Sequence, residues 1–472
     1  TSYDYPWPDR YPLVKNYTKP EKLVTKPNGT YFVDFGRDAF GTLKINFVKP
    51  IQKDTSISVL LGEEKSSGNS IKKPYSKFVT YHQQKFDLKK GQTHLTLDLP
   101  RKQWFHTIWL PTSEPAVIPF RYAEITNSPQ PLKKQNLTRI FLTYQHDNSI
   151  GHFIPSNMNL FKIWDLCKYS LRVTTFAGTY IDGQRERKPY EADAYINQLI
   201  NYYIDREYTL ARHSAQYLLD NSTFIPEWFM SSVLMAYEDY MHTANKEFID
   251  KNYPRLRART LIDLARDDGL ISTQTGLVTP EFLDKINASK DSLLDVVDWP
   301  PPATRDNYDM KPINTAINAF HYYTLTKMAE IARALDKTND VKFFTDRAKL
   351  VKKSINEKLF DHEKQIYKDA ENSAHYALHA NAYPLAFNLV PEKRKPSVAA
   401  HVKARGDNFG VYGVFYVLQG LYNAGLDNYA LHLMTSTKNN SWNHMLEIGS
   451  TITTEEWNYT PKTKICDWNH PW

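Results

Sequence analysis

Apolar and polar positions alternate with a period of two through the first part of the chain. Segments such as Tyr31-Phe-Val-Asp-Phe and Ser56-Ile-Ser-Val-Leu-Leu are each bounded by turn-forming residues. This period is typical of half-buried strands that are joined by short turns. The pattern therefore predicts an antiparallel β-sandwich over residues 30–148, preceded by an extended arm over residues 1–29 that contains the run Tyr5-Pro-Trp-Pro-Asp-Arg-Tyr-Pro.

The apolar spacing becomes helical after Gly151. Ser156 is the predicted N-cap of a helix that carries Leu160 and Ile163 on one stripe. Comparable stripes predict helices near residues 192–204, 207–219, 228–243, 250–266, 313–335, 340–358, 376–387, 396–404, 411–424 and 427–436. Since no sequence repeat of solenoid length recurs, the pattern favours a closed toroid of paired helices over residues 149–472.

The composition of the chain indicates which kinds of ligand it can bind. The 472 residues carry a net charge of +7, and their dispersed lysines favour weak attraction to acidic polymers rather than a nucleic-acid site, which needs a denser basic stripe. No apolar run approaches the roughly 18 residues that span a bilayer. Aromatic residues make up 14% of the chain and suit stacking on sugar rings. Because the chain begins at Thr1 rather than Met, we expect a secreted or periplasmic protein.

The densest charge cluster is the run from Asp182 to Asp193, with four carboxylates and three bases in twelve residues. Like charges at this spacing raise the pKa of one another, and a carboxyl that stays protonated near neutral pH is what a general acid requires. Most charge runs are solvated loops with no chemical role, so that interpretation stands beside the functional one.

A second acidic motif, Gly449-Ser-Thr-Ile-Thr-Thr-Glu-Glu-Trp457, lies near the C-terminus and is followed by Asp467-Trp-Asn-His470. The threonines disfavour a helix and Gly449 marks a turn, so we expect a loop that presents a carboxylate beside an aromatic wall. The alternative is a surface turn anchored by one buried Trp. Two carboxyls on separate loops are what a glycosidase needs on opposite faces of a sugar ring.

At these residues the chain resembles glycoside hydrolase family 78, the α-L-rhamnosidases. Arg185-Glu186-Arg187 matches the family's Arg-Glu-Arg core, and the motif from Gly449 to Trp457 resembles its Gly-Ala-Thr-Thr-x-Trp-Glu-x-Trp run. Val33-Asp-Phe-Gly-Arg-Asp-Ala-Phe-Gly and Arg121-Tyr-Ala-Glu-Ile resemble two runs of its N-terminal sandwich. The resemblance implies a β-sandwich followed by an (α/α)6 barrel.

The resemblance also implies residue roles. Glu186 corresponds to the general acid and Glu455 to the general base that activates water. We expect burial and the neighbouring aspartates to keep Glu186 protonated, and a wetter loop to keep Glu455 ionised. The candidates for substrate binding, from the resemblance or as charged and aromatic neighbours, are Asp182, Arg187, Tyr190, Asp193, Asp298, Trp299, Trp442, Trp457 and His470. Arg187 is expected to orient or pair with a carboxylate.

The chain departs from the family pattern in ways that affect the pocket wall. Gly183 shortens the link between Asp182 and Glu186, Tyr190 stands for a Trp, and Thr454 stands for another. The resemblance still implies an exo-acting, inverting hydrolase that releases terminal rhamnose from a glycan. The positive net charge indicates that this glycan is acidic or sulfated. It leaves the exact sugar open.

Two further functions remain open at this stage. A polysaccharide lyase or unsaturated uronyl hydrolase on a helical toroid would use a Tyr or His base, for which His375 and His379 offer candidates. A catalytically decayed carbohydrate-binding protein would keep the aromatic residues and lose a carboxylate. No metal or cofactor is expected, since the histidine pair lacks a nearby third ligand and Cys167 and Cys466 are not in metal-type spacing; whether these cysteines pair is open.

Overall fold

A computed structural model of the chain describes residues 13–101, 108, 110–299, 306–462 and 464–471. These residues form two compact units. The first comprises the described residues up to Lys188 and from Thr437 onward, and the second comprises those of Pro189–Ser436. The Pro-rich run from Tyr5 to Pro12 lies outside the described residues.

An eight-stranded antiparallel sheet forms most of the first unit before residue 150. Its strands are β1 (Leu13–Thr18), β2 (Lys22–Thr25), β3 (Tyr31–Asn46), β4 (Thr55–Gly62), β5 (Tyr81–Leu88), β6 (His94–Thr96), β7 (Ile118–Thr126) and β8 (Leu137–Tyr144). They follow the order β1-β8-β3-β7-β4-β5, with β2 and β6 also paired to β3. The antiparallel β domain that the alternating pattern predicts is therefore present.

The alternating positions explain the core of this sheet. Ile57, Val59 and Leu61 of β4 are buried and point to one face, while the intervening positions are partly exposed. Phe86 and Leu88 of β5 join the same apolar cluster. Successive side chains of a strand point to opposite faces, so this period-two pattern buries one face of each strand.

The range 1–29, predicted as an extended arm, is partly wrong. Residues 13–18 form β1, which pairs with β8 from Leu13–Tyr144 to Thr18–Arg139, and residues 22–25 form β2 against β3. Edge strands of this kind are held by backbone hydrogen bonds to partners far along the chain. Local sequence alone does not reveal those partners.

A bulge that follows Asp34 in β3 explains the Asp-Phe-Gly motif. Gly36 takes a φ of 80°, and its N–H donates to Asp34 Oδ1 at 2.7 Å. Arg121 donates to both oxygens of the same carboxylate at 2.9 and 3.1 Å. Beyond the bulge, the N–H of Asp38 donates to Thr451 Oγ1 at 2.8 Å. The motif thus holds the loop that carries Glu455.

Two helices belong to the first unit: α1 (Met158–Thr174) and, near the C-terminus, α14 (Trp442–Glu447). Residues Phe360–Asp361 and Ile366–Tyr367 of the second unit form the short strands β9 and β10. The helices of the second unit are α2 (Glu191–Ile204), α3 (Thr209–Asp220), α4 (Pro226–Thr243), α5 (Glu247–Lys251), α6 (Tyr253–Arg259), α7 (Pro280–Lys285), α8 (Thr315–Ala334), α9 (Thr338–Ser354), α10 (Leu378–Ala386), α11 (Lys395–Arg405), α12 (Val414–Asn423) and α13 (Asp427–Met434).

Alternate helices of the second unit differ in burial. Helices α2, α4, α8, α10 and α12 contact one another in that order, and α3, α6, α9, α11 and α13 each pack against one of them. Nearly every residue of α4 from 226 to 237 is buried, whereas α9 buries one narrow stripe. A helix that is buried on most sides lies inside a bundle, and one with a single apolar stripe lies outside. The described hairpins therefore have an inner and an outer layer.

The helix boundaries follow the predicted spacing with a few differences. Asn157, not Ser156, is the N-cap of α1, since its side chain accepts from the N–H of Asn159 at 2.8 Å. The helix predicted over 250–266 is two helices that meet at Asn252, because Pro254 starts a new first turn. Helices α7 and α14 lie in segments where no helix was predicted.

Candidate active site

The charged run starting at Asp182 opens with a tight loop that follows α1. The N–H of Asp182 donates to the carbonyl of Lys188 at 2.9 Å, and the N–H of Lys188 donates to Asp182 Oδ1 at 3.2 Å. Only 1% of Asp182 is exposed. The interpretation of this run as a solvated loop is therefore wrong for its first residue.

The C-terminal segment packs directly on this loop. The N–H of Gln184 donates to Asn469 Oδ1 at 2.9 Å, and the N–H of Arg185 donates to Asp467 Oδ2 at 3.0 Å. Gly183 has a φ of 153°, and a Cβ there would lie 2.6 Å from both the Asn469 carbonyl oxygen and Asp467 Oδ2. The shortened link that departs from the family pattern is thus a place where only glycine fits.

Arg185 joins the two glutamates that the sequence analysis assigned to catalysis. Its Nη1 lies 3.0 and 3.1 Å from the two carboxylate oxygens of Glu455, and its Nη2 lies 3.6 Å from Glu186 Oε2. The pKa of Arg185 is lowered by burial but raised more strongly by Glu455 and Asp467, so the guanidinium stays charged. No role was predicted for Arg185, although it lies inside the matched Arg-Glu-Arg core.

The expectation of a wetter loop around Glu455 is wrong. Its side chain is completely buried, and Oε2 also accepts from the N–H of Asp467 at 2.7 Å. A buried carboxylate needs a counter-charge and hydrogen bonds, which Arg185 and Asp467 supply. The Glu186 side chain, by contrast, keeps 30% of its surface exposed.

Asp182 and Glu186 form a coupled carboxyl pair. The pKa of Asp182 is raised well above its usual value, first by burial, then by the negative charge of Glu186 and a hydrogen bond with it; Arg185 opposes the shift. The ionisation of either carboxyl opposes that of the other, so the pair binds a proton more tightly than a single exposed carboxyl does.

Arg187 does not occupy the predicted position beside a carboxylate. It takes a φ of 52°, and its guanidinium donates to Gln184 Oε1 at 2.7 and 3.0 Å and to the carbonyl of Val117 at 2.5 Å. Burial lowers its pKa to about 10. The contacts of Arg187 therefore stabilise the loop, and Arg185 makes the carboxylate contacts that were expected of it.

His470 is buried and uncharged. Burial, followed by the nearby charge of Arg185, lowers its pKa well below the usual value. The backbone N–H of His470 donates to the Thr453 carbonyl at 2.8 Å, and the Thr453 hydroxyl donates back to the His470 carbonyl at 2.5 Å. This exchange fixes the C-terminal segment against the loop that carries Glu455.

A second carboxyl pair supports the same segment from the sheet. Asn469 Nδ2 donates to Glu63 Oε1 at 2.5 Å, and the N–H of Thr80 donates to Glu63 Oε2 at 2.6 Å. Burial and the neighbouring charge of Asp38 raise the pKa of Glu63 well above its usual value. Burial likewise raises the pKa of Asp38 to about 6, although Glu63 and two arginines oppose the shift.

Two tryptophans that were predicted to contact the substrate pack against each other. The rings of Trp442 and Trp457 meet edge to face with their centroids 5.1 Å apart. Trp457 is completely buried and lies two residues after Glu455, and its predicted contact with the substrate stays a prediction. Trp442 is half-buried and remains a candidate.

The second unit holds an aromatic cluster of its own. Tyr190, the N-cap residue of α2, meets Trp228 edge to face at 5.3 Å, and Trp228 meets Trp299 in the same way at 6.3 Å. Tyr190 and Trp299, both predicted as pocket walls, are half-buried. Trp228 was missed because it lies on a helix whose apolar residues indicate core. Asp193 lies in the first turn of α2 and is buried.

The carboxylate of Asp298 is enclosed by internal donors. It accepts from His379 Nε2, from the N–H of Gly413 and from the N–H of Trp299, all at 2.7 Å, and also from the N–H of Gly410. Asp298 has a φ of 64° and is 1% exposed. These contacts favour a role in positioning Trp299 over the predicted direct contact with substrate.

The two histidines do not share a site, and the two cysteines do not form a disulfide. His375 Nδ1 lies 2.6 Å from Asp369 Oδ2, so the two histidines of the predicted pair contact different carboxylates. Cys167 and Cys466 are both free thiols. Among the described residues, no three His, Cys, Asp or Glu side chains are grouped to hold a metal ion. None of the helices in the described ranges has the length and apolarity needed to cross a membrane.

Comparison with known proteins decides the family. The profile of the bacterial alpha-L-rhamnosidase 6 hairpin glycosidase domain matches residues 148–472. The chain belongs to this family. The predicted assignment to glycoside hydrolase family 78 is confirmed, whereas a comparison with curated protein sequences gave no significant match.

Solved structures of α-L-rhamnosidases share the fold. The enzyme from Dictyoglumus thermophilum matches with a TM-score of 0.77 at 18% identity, over 98% of this chain and 50% of its own. The Streptomyces avermitilis enzyme complexed with L-rhamnose gives 0.74 at 15%, over 98% and 43%. The Klebsiella oxytoca rhamnosidase with rhamnose bound gives 0.71 at 14%, over 98% and 94%. The chain thus spans about half the length of the first two. The predicted fold class, a β domain followed by an (α/α)6 barrel, is confirmed.

Proposed function

We propose that the protein is an exo-acting, inverting glycoside hydrolase that releases terminal α-L-rhamnose from a glycan. The observation that carries the proposal is the contact of Glu186 and Glu455 with one guanidinium, that of Arg185, in a chain of the rhamnosidase family. Glycoside hydrolysis needs two carboxyls of opposite protonation state. Their environments here differ in the required sense.

Glu186 acts as the general acid. The proton that the Asp182–Glu186 pair retains is passed by Glu186 to the glycosidic oxygen as the bond to the anomeric carbon breaks. After the transfer both carboxyls of the pair are ionised beside Arg185, and the pair takes up a proton from solvent before the next turnover. Because Asp182 is buried and Glu186 is partly exposed, Glu186 is the member of the pair that can reach the glycosidic oxygen.

Glu455 acts as the general base. The Arg185 guanidinium and the Asp467 N–H balance its negative charge in a buried site, so it can accept a proton from the attacking water. Because both glutamates contact one guanidinium, their separation is limited to its width plus two contact distances. That limit is compatible both with much of the roughly 6.5 to 9.5 Å range of inverting enzymes and with the about 5 Å of retaining enzymes, so it does not decide between them. The family resemblance favours inversion.

The test of the acid compares two leaving groups. Glu186→Gln should lower kcat by about 10² to 10⁴ on a rhamnosyl disaccharide, since its leaving group needs protonation. It should affect an activated aryl rhamnoside much less. An equal loss on both substrates contradicts the role of Glu186.

The test of the base uses a neighbouring carboxylate as the control. Glu455→Ala should lose activity, and added azide should restore turnover. NMR should show that the glycosyl azide product has the anomeric configuration opposite to that of the substrate. Glu456→Gln, which changes the adjacent residue of the same motif, should retain most activity. If Glu455→Ala is as active as the wild type, the base is another residue.

The same assays separate the alternatives. An elimination would give a conjugated uronate product that absorbs in the ultraviolet, and a decayed binding protein would bind rhamnose glycans without turnover. Substrate contacts by Asp193, Tyr190, Trp299 and Trp442 and a periplasmic or extracellular location remain part of the proposal. Secretion can be tested by fractionation of the native host.

A further inference from the structure

Glu63 lies just beyond the paired ends of β4 and β5, where Gly62 pairs with Tyr81. The N–H of Glu63 donates to the Thr80 carbonyl at 3.3 Å, and the N–H of Thr80 donates back to Glu63 Oε2 at 2.6 Å. Only 2% of Glu63 is exposed. Its backbone and its side chain are thus both bonded to one residue, which fixes the position of the carboxyl group.

The other oxygen of this carboxyl group leads to the loop that carries Glu186. Glu63 Oε1 accepts from Asn469 Nδ2 at 2.5 Å, and Asn469 Oδ1 accepts from the N–H of Gln184 at 2.9 Å. Asn469 is completely buried, and Gln184 lies two residues before Glu186, the proposed general acid. A path of three hydrogen bonds therefore joins Thr80, at the start of β5, to that loop.

The direction of this path is fixed by the backbone groups at its two ends. A backbone N–H can only donate, so the Glu63 oxygen that faces Thr80 must accept, and so must the amide oxygen that faces Gln184. The Asn469 side chain then presents its NH2 group to Glu63, whose second oxygen must accept as well. Among side chains of this length, only a carboxyl group can accept at both of its terminal atoms.

The carboxyl group of Glu63 is present despite the cost of its burial. Burial, followed by the negative charge of Asp38, raises the pKa of Glu63 well above its usual value. The two N–H groups that donate to it, from Thr80 and Asn469, are neutral. A buried carboxyl group held by neutral donors is costly. What it supplies is the pair of acceptor oxygens that sets the direction of the path.

We infer that Glu63 is a positioning residue, which holds the loop that carries Glu186 through Asn469. The catalytic part of this inference rests on the proposed function. A loop that is held less precisely places the acid less precisely beside the glycosidic oxygen, and a misplacement of about 1 Å can lower a rate by about 10²-fold. The loss should fall on proton donation, the step proposed for Glu186.

The first experiment measures the ratio of kcat on a rhamnosyl disaccharide to kcat on an activated aryl rhamnoside. Unfolding of part of the protein lowers both rates equally, so the ratio does not depend on stability. Glu63→Gln should lower the ratio by at least about tenfold. Glu64→Gln changes the next residue, whose carboxylate pairs with Lys72 at 2.9 Å, and should leave the ratio unchanged. Equal losses on both substrates in Glu63→Gln overturn the proposal.

A swap of the two side-chain groups should restore the path. Asn469→Asp alone places a second carboxylate against Glu63 and should also lower the ratio. In the double variant Glu63→Gln with Asn469→Asp, the new amide at position 63 donates to the new carboxylate and keeps its oxygen for Thr80. The new carboxylate accepts from Gln184, and the net charge is unchanged. The double variant should recover most of the ratio that Glu63→Gln loses, and a double variant as impaired as Glu63→Gln overturns the proposal.

Hydrogen exchange separates this proposal from the proposed function. Mass spectrometry follows the backbone amides of the peptide that covers residues 183–188. These amides should exchange faster in Glu63→Gln than in the wild type and should be protected again in the double variant. If this pattern is observed and no rhamnoside is hydrolysed, the proposed function fails alone and Glu63 still positions the loop. If rhamnosides are hydrolysed and exchange is the same in all three proteins, the proposed function stands and the positioning role of Glu63 is rejected.

Discussion

Arg185→Gln is the substitution that tests the site most directly. The change removes the guanidinium that lies 3.0 Å from Glu455 and 3.6 Å from Glu186, and it leaves the backbone N–H of residue 185 on Asp467. Glu455 is completely buried, and the substitution removes both hydrogen bonds from the guanidinium, whereas the one from the N–H of Asp467 remains. The substitution therefore leaves a buried charge without its counter-charge.

The size of the effect follows from that burial. Removing one partner of a buried ion pair costs about 3–5 kcal/mol, mainly because the other charge remains desolvated. Exposed ion pairs contribute about 0–1 kcal/mol, so the Arg185–Glu186 contact, which is longer and partly exposed, adds little. We expect the free energy of unfolding to fall by about 3–5 kcal/mol in Arg185→Gln, nearly all of it through Glu455.

Urea denaturation followed by tryptophan fluorescence measures the loss. The double variant Arg185→Gln with Glu455→Gln should be more stable than Arg185→Gln alone by about 2–3 kcal/mol, because the stranded charge is gone. Arg187→Gln is the control. It removes another buried arginine whose hydrogen bonds go to Gln184 and a backbone carbonyl, so Glu455→Gln should not relieve its cost.

The outcome that refutes this reasoning is specific. If Arg185→Gln costs less than about 1 kcal/mol, the pair behaves as an exposed one and Glu455 is not desolvated as described. If the double variant gains nothing over Arg185→Gln, the lost stability does not come from an unbalanced carboxylate. Activity alone cannot distinguish these cases, because both substitutions touch the proposed catalytic pair.

Three other predictions concern the frame of the site. Gly183→Ala should cost about 2–4 kcal/mol of unfolding free energy and most activity, because the new methyl group meets backbone and carboxylate oxygens, whereas Gly68→Ala, in open space, should be neutral by the same urea assay. Since the folded-state pKa of Asp38 is about 6, above its unfolded value of 3.8, its stabilising contribution is complete below pH 4 and lost by pH 6. As pH rises across this window, the free energy of unfolding of Asp38→Asn should therefore increase relative to that of the wild type by up to about 3 kcal/mol. The raised pKa of Glu63 acts in the same direction. A difference between variant and wild type that stays constant with pH contradicts the raised pKa of Asp38. Asp298→Ala should cost about 3–5 kcal/mol, measured as above, since it leaves buried donors unpaired, and a loss below 1 kcal/mol contradicts its enclosed position.

Much of the architecture could be predicted from apolar periodicity. The strand β4 and the long helices α4, α8 and α9 follow their patterns to within a few residues, because each buries a face set by its own side chains. The strands β1 and β2 were missed, since their stability comes from backbone pairing with β8 and β3. The break at Asn252 was also missed, because the apolar spacing continues from α5 into α6 across the turn that Pro254 begins.

The proposed catalytic residues were predicted from a motif, and the geometry around them was not predicted. Glu186 and Glu455 are recognisable because their neighbours in sequence match a family. The burial of Glu455 is not recognisable, since a Thr-Thr-Glu-Glu run has the composition of an exposed turn. Arg185 and Asp298 contact partners that are far along the chain, and local sequence does not reveal such partners. Arg187 has the same guanidinium group as Arg185, but it donates to a backbone carbonyl and not to a carboxylate.

The departure at Gly183 is compatible with the proposed acid–base pair, because one chain of hydrogen bonds links Arg185 and Glu455, and Arg185 also lies 3.6 Å from Glu186. The N–H of Arg185 donates to the carboxylate of Asp467, the N–H of Asp467 donates to Glu455, and the Arg185 side chain returns to the same carboxylate. A glycine before Arg185 lets the 467–469 segment approach closely enough for this chain to close. A shorter link to Asp182 is therefore compatible with catalysis, and a shift of either loop must move Glu186 and Glu455 together.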